Sequence, residues 1–296
     1  MPRILITGSN GQVGFELRRA LAPLGQVVAL TRRDMDLGDA ASIVAALDRH
    51  QPDLIVNPAA YTAVDKAESE PEQARAVNAE APGVMARWGR ARNVSLFHYS
   101  TDYVFDGTGV EPYREDAPIN PQSVYGATKC KGEDAIRQAY EQHLILRTSW
   151  VVGAHGGNFL KTILRLAGER DQLRIVADQT GAPTSAALIA DVTAHLVACY
   201  FKHRERFAFG TYHLAASGET NWCAYARHIV ALAEARGLDL KLRSTDIAPI
   251  ATHEYPLPAK RPMNSRLDCG KLMSTFGISL PDWRHGVDYV FEQLHD

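Results

Sequence analysis

Cysteine is scarce and scattered: Cys130, Cys199, Cys223 and Cys269 are the only four, and no C-x-x-C pair occurs. This spacing excludes a disulfide framework and a zinc ribbon. It is the usage of a reducing compartment, so a cytoplasmic location is expected. Charge of one sign is lacking as well, because 32 basic residues face 34 acidic ones for a net charge of −2. Neither nucleic acid nor a membrane surface is therefore expected as a partner. Apolar runs are short, and none approaches the ~20 residues that cross a bilayer. The opening MPRILITG has one arginine and a β-like run broken by Gly8, which reads as a buried strand rather than a secretory leader. What is present is a globular composition, 46% hydrophobic and 22% charged, with enough apolar surface to offset the entropy of ordering.

The first half alternates β-rich runs with helical stretches. Arg3–Thr7, Gln26–Leu30, Asp53–Asn57, Ser95–Ser100 and His143–Thr148 read as strands. Helical spacing covers Gln12–Leu24, Ser42–Arg49 behind an Asp39 N-cap, a region near 72–92 interrupted at Pro82, and Tyr125–Gln142. Strands separated by helices pair in parallel through right-handed crossovers, so the fold class is α/β, a doubly wound, Rossmann-like parallel sheet. After Trp150 the rhythm loosens into a smaller, mainly C-terminal α/β lobe. Ala248–Ser265 carries four prolines and reads as an extended loop. The division expected is a dinucleotide-binding domain over 1–150, with 185–216 returning to it, and a substrate lobe from 151–184 and 217–296.

Directly after the first strand stands Gly8-Ser-Asn-Gly11-Gln12-Val13-Gly14, a G-x-x-G-x-x-G variant of the dinucleotide fingerprint. Gly8 suits a tight strand exit, Gly11 a close approach to pyrophosphate, and Gly14 close packing of helix on sheet. The helix behind them aims free N–H groups at the phosphates. An NAD-selective site ends its second strand with an acid that binds the ribose 2′-hydroxyl. Here that strand ends Leu30-Thr31-Arg32-Arg33, and two guanidiniums suit a 2′-phosphate. NADPH is thus favoured, with NADH the alternative.

Tyr125-Gly-Ala-Thr-Lys129 puts a phenol and an ammonium one helical turn apart on one face. A phenol, whose unperturbed pKa is about 10, becomes a useful proton donor when a neighbouring positive charge stabilises its anion. Thr101, in Ser100-Thr101-Asp102-Tyr103, ends the fourth strand at the edge where open α/β sheets bind ligands, and its hydroxyl is placed to polarise a carbonyl. His195, Cys199 and His203 recur every four residues, but the outer two are ~12 Å apart along a helix, too far to share one zinc.

Glycine loop, hydroxyl and Y-x-x-x-K in this order resemble the extended branch of the short-chain dehydrogenase/reductase superfamily. The likeness narrows further. Val56–Glu68 (VNPAAYTAVDKAE), His98–Phe105 (HYSTDYVF), Arg147–Trp150 (RTSW), Asp178–Thr184 (DQTGAPT) and Arg261–Ser265 (RPMNS) resemble the dTDP-4-dehydrorhamnose reductase family. The resemblance implies NADPH-dependent reduction of the 4-keto group of a dTDP-sugar, dTDP-4-dehydro-L-rhamnose, to dTDP-L-rhamnose in the last step of its biosynthesis. It implies Tyr125 as general acid, Lys129 as the group that lowers its pKa and binds the nicotinamide ribose, and Thr101 orienting the carbonyl. Gly11, Gln12, Val13, Asp36, Leu37, Ala59, Ala60, Tyr61 and Tyr99 would surround the cofactor. Thr101, Asp102 and Trp150 would face the sugar nucleotide, Trp150 offering an aromatic face, and Arg261 is read here as a bidentate partner for its pyrophosphate. Some members hold Mg2+ at a dimer interface through clustered glutamates. Glu16 and Glu292 match two of those positions, but the third falls on Ala187, which leaves a hard cation short of an oxygen ligand. A monomer or a homodimer is expected. A related epimerase would use the same Tyr125 and Lys129 but would retain its cofactor, whereas a non-catalytic binding module would have no need of them.

Overall fold

Ile4 and Ile6 point to one side of the first strand and Leu5 to the other, and all three are fully buried, so the strand is covered on both faces. In the computed structural model, which describes residues 1–295, this strand lies inside a parallel sheet. The chain runs β1 (Arg3–Ile6), α1 (Gln12–Leu21), β2 (Gln26–Ala29), α2 (Ala40–His50), β3 (Leu54–Asn57), α3 (Val64–Ser69), α4 (Pro71–Arg75), α5 (Ala81–Arg92), β4 (Ser95–Thr101), α6 (Val124–Ala139) and β5 (His143–Thr148). Then follow β6 (Val151–Val152), α7 (Phe159–Glu169), β7 (Leu173–Val176), β8 (Thr180–Gly181), β9 (Thr184–Ser185), α8 (Ala186–Lys202) and β10 (Gly210–His213). The chain continues with β11 (Thr220–Asn221), α9 (Trp222–Ala235), β12 (Ile247–Ile250), α10 (Gly270–Phe276) and α11 (Trp283–Gln293).

The main sheet has six parallel strands in the order β10-β5-β4-β3-β1-β2. Strand order reverses between β1 and β3, and the crevice beyond the carboxyl ends of these two strands is the place where such sheets bind ligands. On one face α1 and α8 bury Leu17, Leu21, Ile189 and Leu196 against Ile4, Ile6 and Phe97. On the other, α2 and α5 bury Ile43, Leu47, Met85 and Trp88 against Leu5, Ile55 and Leu96. A third core, with Leu160, Ile163, Tyr225, Ile229, Trp283 and Val287, belongs to the later segments. Among the described residues no helix is long and apolar enough to cross a membrane.

Two local expectations change. Pro82 does not break the helical run: it is the second residue of α5, which continues directly from a helical turn before it. The irregularity lies before it, as a π-helical turn over Ala76–Glu80. Within the proline-rich stretch, Ile247–Ile250 forms a strand paired in parallel with β7. That sheet has only two strands, so Pro249 is on an edge, where a strand tolerates proline.

A buried ion pair ties α6 to β5. Arg147 Nε and Nη2 donate to Oε1 and Oε2 of Glu133 at 2.8 and 2.7 Å, and both side chains are almost wholly shielded from solvent. Burial by itself would raise the Glu133 carboxyl, but the hydrogen bonds and charge of Arg147 outweigh it and hold the group below its ordinary 4.5. Replacing Glu133 by Gln would leave Arg147 charged and unpaired inside the protein. Unfolding free energy should then fall by about 3–5 kcal/mol, read from denaturant midpoints. The carboxylate's contribution is present above its unfolded pKa and lost as pH falls through the lower folded one. Wild type should therefore lose an increment of stability below pH 4.5 that Glu133→Gln lacks.

Candidate active site

The crevice is a cleft of about 780 Å³ along the carboxyl ends of the strands. Its floor begins with the glycine loop. Gly8 has φ +53°, and a Cβ there would fall 2.8 Å from Ala59 Cβ, so the loops after β1 and β3 touch only because this position is glycine. A Cβ on Gly14 would fall 2.2 Å from the Gly8 carbonyl oxygen, which forces glycine where α1 leaves the loop. Gly11 is the N-cap of α1 and no side chain caps the helix, so its first N–H groups remain available to an anion. These features fit a dinucleotide pyrophosphate. Of the predicted cofactor residues, Gly8, Gly11, Gln12, Val13, Gly14, Arg32, Asp36, Leu37, Ala59, Ala60, Tyr61, Tyr99, Tyr125 and Lys129 all line this cleft.

Ser123 caps α6 by accepting from the Gly126 N–H at 3.2 Å, which puts Tyr125 in the first turn and Lys129 one turn later. A Cβ on Gly126 would fall 2.2 Å from the Tyr103 carbonyl oxygen, so α6 lies directly on the segment after β4. The rings of Tyr125 and Tyr103 meet edge to face at 5.5 Å. Burial pushes the Tyr125 phenol up to about 12; its hydrogen bond with Thr101 pulls the other way, and Asp102 adds to the rise. Thr101 Oγ1 donates to Asp102 Oδ1 at 2.9 Å, and burial lifts that carboxyl to about 6. Lys129 donates to the Tyr99 carbonyl and lies 3.2 Å from His98 Nε2; burial brings its amine down to about 8. Burial thus favours the neutral form of both groups.

Trp150 lines the cleft with φ +46°, a strained conformation for a bulky residue. One face of its indole stacks on Trp222 with ring centroids 3.8 Å apart. A Cβ on Gly181 would lie 2.7 Å from Cε2, nearer than to Cζ2 or Nε1 beside it, a position over the other face. The expected open aromatic face is therefore covered on both sides, and Trp150 offers a ligand its edge.

Five predicted residues stand outside the cleft wall. Thr31 gives its hydroxyl and N–H to Asp34 Oδ2 within its own turn, and Arg33 lies beyond it, so only Arg32 of the basic pair reaches the cleft. Arg261 Nη2 pairs with Asp65 Oδ2 at 2.7 Å, tying the proline-rich segment to α3. Glu16 is buried against Arg19 at 3.3 Å, and Glu292 lies on α11. Among the described residues no three His, Cys, Asp or Glu side chains gather where they could hold a metal ion. Sequence reasoning missed Asn158, whose Nδ2 donates to Gln12 Oε1 at 2.9 Å, and the cleft-lining pair Trp222 and Phe159. Asn158 caps α7, a position readable from the sequence, but its contact across 146 residues is not.

The sequence profile described as the RmlD substrate binding domain matches residues 2–295. The chain is 49% identical over 294 residues to a dTDP-4-dehydrorhamnose reductase of Burkholderia thailandensis, covering 99% of each protein. Among solved structures, a dTDP-4-dehydrorhamnose reductase of Clostridium acetobutylicum superposes with a TM-score of 0.88 at 34% identity, over 99% of this chain and 100% of that one. Another from Bacillus anthracis, in complex with NADP, gives 0.86 at 31% identity over 99% of each.

The sandwiched indole yields a test that needs no ligand. Gly181→Ala would drive a methyl group into the Trp150 ring and displace it from Trp222. The expected outcome is a shift in tryptophan emission and a loss of about 1–3 kcal/mol of stability, measured by fluorescence-detected unfolding.

Proposed function

This chain belongs to the dTDP-4-dehydrorhamnose reductase family, and on that premise we propose that it reduces the 4-keto group of dTDP-4-dehydro-L-rhamnose with NADPH, releasing dTDP-L-rhamnose in the last step of that sugar's biosynthesis. It is an NAD(P)H-dependent oxidoreductase. The observation that carries the finer reading is the convergence of Thr101, Tyr125 and Lys129 on the wall of a cleft whose floor is an uncapped, glycine-lined helix N-terminus.

When bound, the cofactor would supply the hydride. Tyr125 gives its phenolic proton to the carbonyl oxygen as that oxygen gains charge, and Thr101 holds the same oxygen by its hydroxyl. A phenol near 12 is too weak an acid for this by itself. Lys129, on the same face of α6, would stabilise the tyrosinate by its positive charge and hold the nicotinamide ribose. Arg32 is mostly exposed at the cleft mouth, where its planar fork suits a 2′-phosphate. Asp102 and the edge of Trp150 face the sugar. Residues 1–150 with 185–216 hold the dinucleotide, and 151–184 with 217–296 hold the sugar nucleotide, residue 296 lying outside the described residues.

With the keto sugar and NADPH, absorbance at the nicotinamide band should fall in proportion to product, which an epimerase would not produce. Tyr125→Phe should lower turnover at least ~100-fold while NADPH affinity stays within about threefold, since only the transferred proton is removed. Full activity in that variant rejects the assigned acid. Arg32→Ala should weaken NADPH about tenfold or more and leave NADH nearly unchanged, as judged by titration calorimetry. Arg33→Ala should alter neither, because Arg33 lies outside the cleft wall.

A further inference from the structure

Behind the cleft wall a line of polar side chains runs from Lys129 through the sheet. Lys129 Nζ lies 3.2 Å from His98 Nε2, His98 Nδ1 lies 3.0 Å from Asn57 Nδ2, and Asn57 Oδ1 lies 2.6 Å from Thr7 Oγ1. The four residues come from α6, β4, β3 and the end of β1, and none is more than 2% exposed. The other partner of Lys129 is the Tyr99 carbonyl. Around this line, α6 contributes Tyr125 and Glu133, β5 contributes His143 and Arg147, and Asp102 stands at the cleft end of β4. Glu133 is bound by Arg147 and Arg137, so it does not bond to Lys129. Burial and the lysine charge hold His98 well below its ordinary 6.5, so the imidazole is neutral and does not compete for the positive charge.

The direction of the line is informative. As placed, the Thr7 hydroxyl donates to Asn57 Oδ1 and the Asn57 amide donates to His98 Nδ1. The neutral imidazole then carries its proton on Nε2, aimed at Lys129 Nζ, an order that suits a free amine with a lone pair to accept. An ammonium needs the reverse. With the Asn57 amide turned over, His98 carries its proton on Nδ1, Nε2 accepts from the ammonium, and Thr7 accepts from Asn57. Hydroxyl, amide and neutral imidazole each donate and accept, so both directions leave every member bonded.

We propose that Thr7, Asn57 and His98 form a reversible hydrogen-bond chain that lets the buried Lys129 exist as amine or ammonium, with His98 the positioning residue that holds the charged form. The consequence for reduction rests on the reading of Lys129 as the partner of Tyr125. The chain itself is a property of the ligand-free protein, and its test requires no turnover.

The protein labelled with 13Cε-lysine is titrated by NMR without cofactor, the Lys129 signal being the one absent from Lys129→Met. Wild type should titrate near 8. His98→Leu removes the acceptor and should lower the midpoint by about one pH unit or more, whereas His98→Gln, which can present an amide oxygen, should stay within about half a unit of wild type. Asn57→Asp can only accept from His98 Nδ1–H, which fixes the chain in the ammonium direction, and it should raise the midpoint by about one pH unit or more. A midpoint unmoved in His98→Leu, or moving the same way in His98→Leu and Asn57→Asp, overturns the proposal. If Asn57→Asp does not fold, the contrast between His98→Leu and His98→Gln decides it alone. A wrong substrate assignment would leave these midpoints as they are.

Discussion

The two oxygens of Glu133, fully buried and gripped by Arg147, fix where α6 lies against the sheet. Everything in the cleft follows from that placement. Tyr125 and Lys129 are carried on the same helix, about two turns and one turn before the carboxylate respectively, and their distance from the strand ends is set by how closely α6 approaches. At Gly126 the approach is backbone against backbone, since even a methyl group would fall 2.2 Å from the Tyr103 carbonyl oxygen. An ion pair buried this deeply adds little net stability over an apolar pair of the same shape, but it tolerates only one geometry. Here that geometry gives α6 one register on the strands.

Burial is also the main source of the cleft's electrostatics. It moves Tyr125 up to about 12, Asp102 up to about 6 and Lys129 down to about 8, each toward its uncharged form. A cleft that suppresses its own charges has a quiet resting state. Charges in such a space are poorly screened. The strained Trp150, clamped between Trp222 and the Gly181 backbone, serves the same end mechanically: it closes one wall with a rigid edge.

Much of this was legible in the residues. The unbroken apolar run Ile4, Leu5 and Ile6, the glycines after it and the Tyr125 to Lys129 spacing are local signals, and local signals survive translation into structure. The misses share a cause. Pro82 was read as a break because a proline inside a helical pattern gives no hint that a π turn has already reset the register before it. Arg261 looked like an anion clamp because a lone guanidinium carries no mark of the Asp65 that neutralises it from 196 positions away. Trp150 looked like an open platform for the same reason: Trp222 and Gly181 are near it only in space.

The amino-acid sequence alone determined the fold class, the glycine loop after β1 and the placement of Thr101, Tyr125 and Lys129, the residues that the proposed reduction uses. They rest on runs, spacings and element order read along the chain, where covalent geometry dictates which neighbouring side chains share a face. Only the tertiary structure decided which charges are neutralised, which aromatic faces remain open and which polar atoms stand behind Lys129. Those depend on desolvation and on partners drawn from four different segments, Thr7, Asn57, His98 and Lys129 among them, and no local pattern encodes who will be buried beside whom.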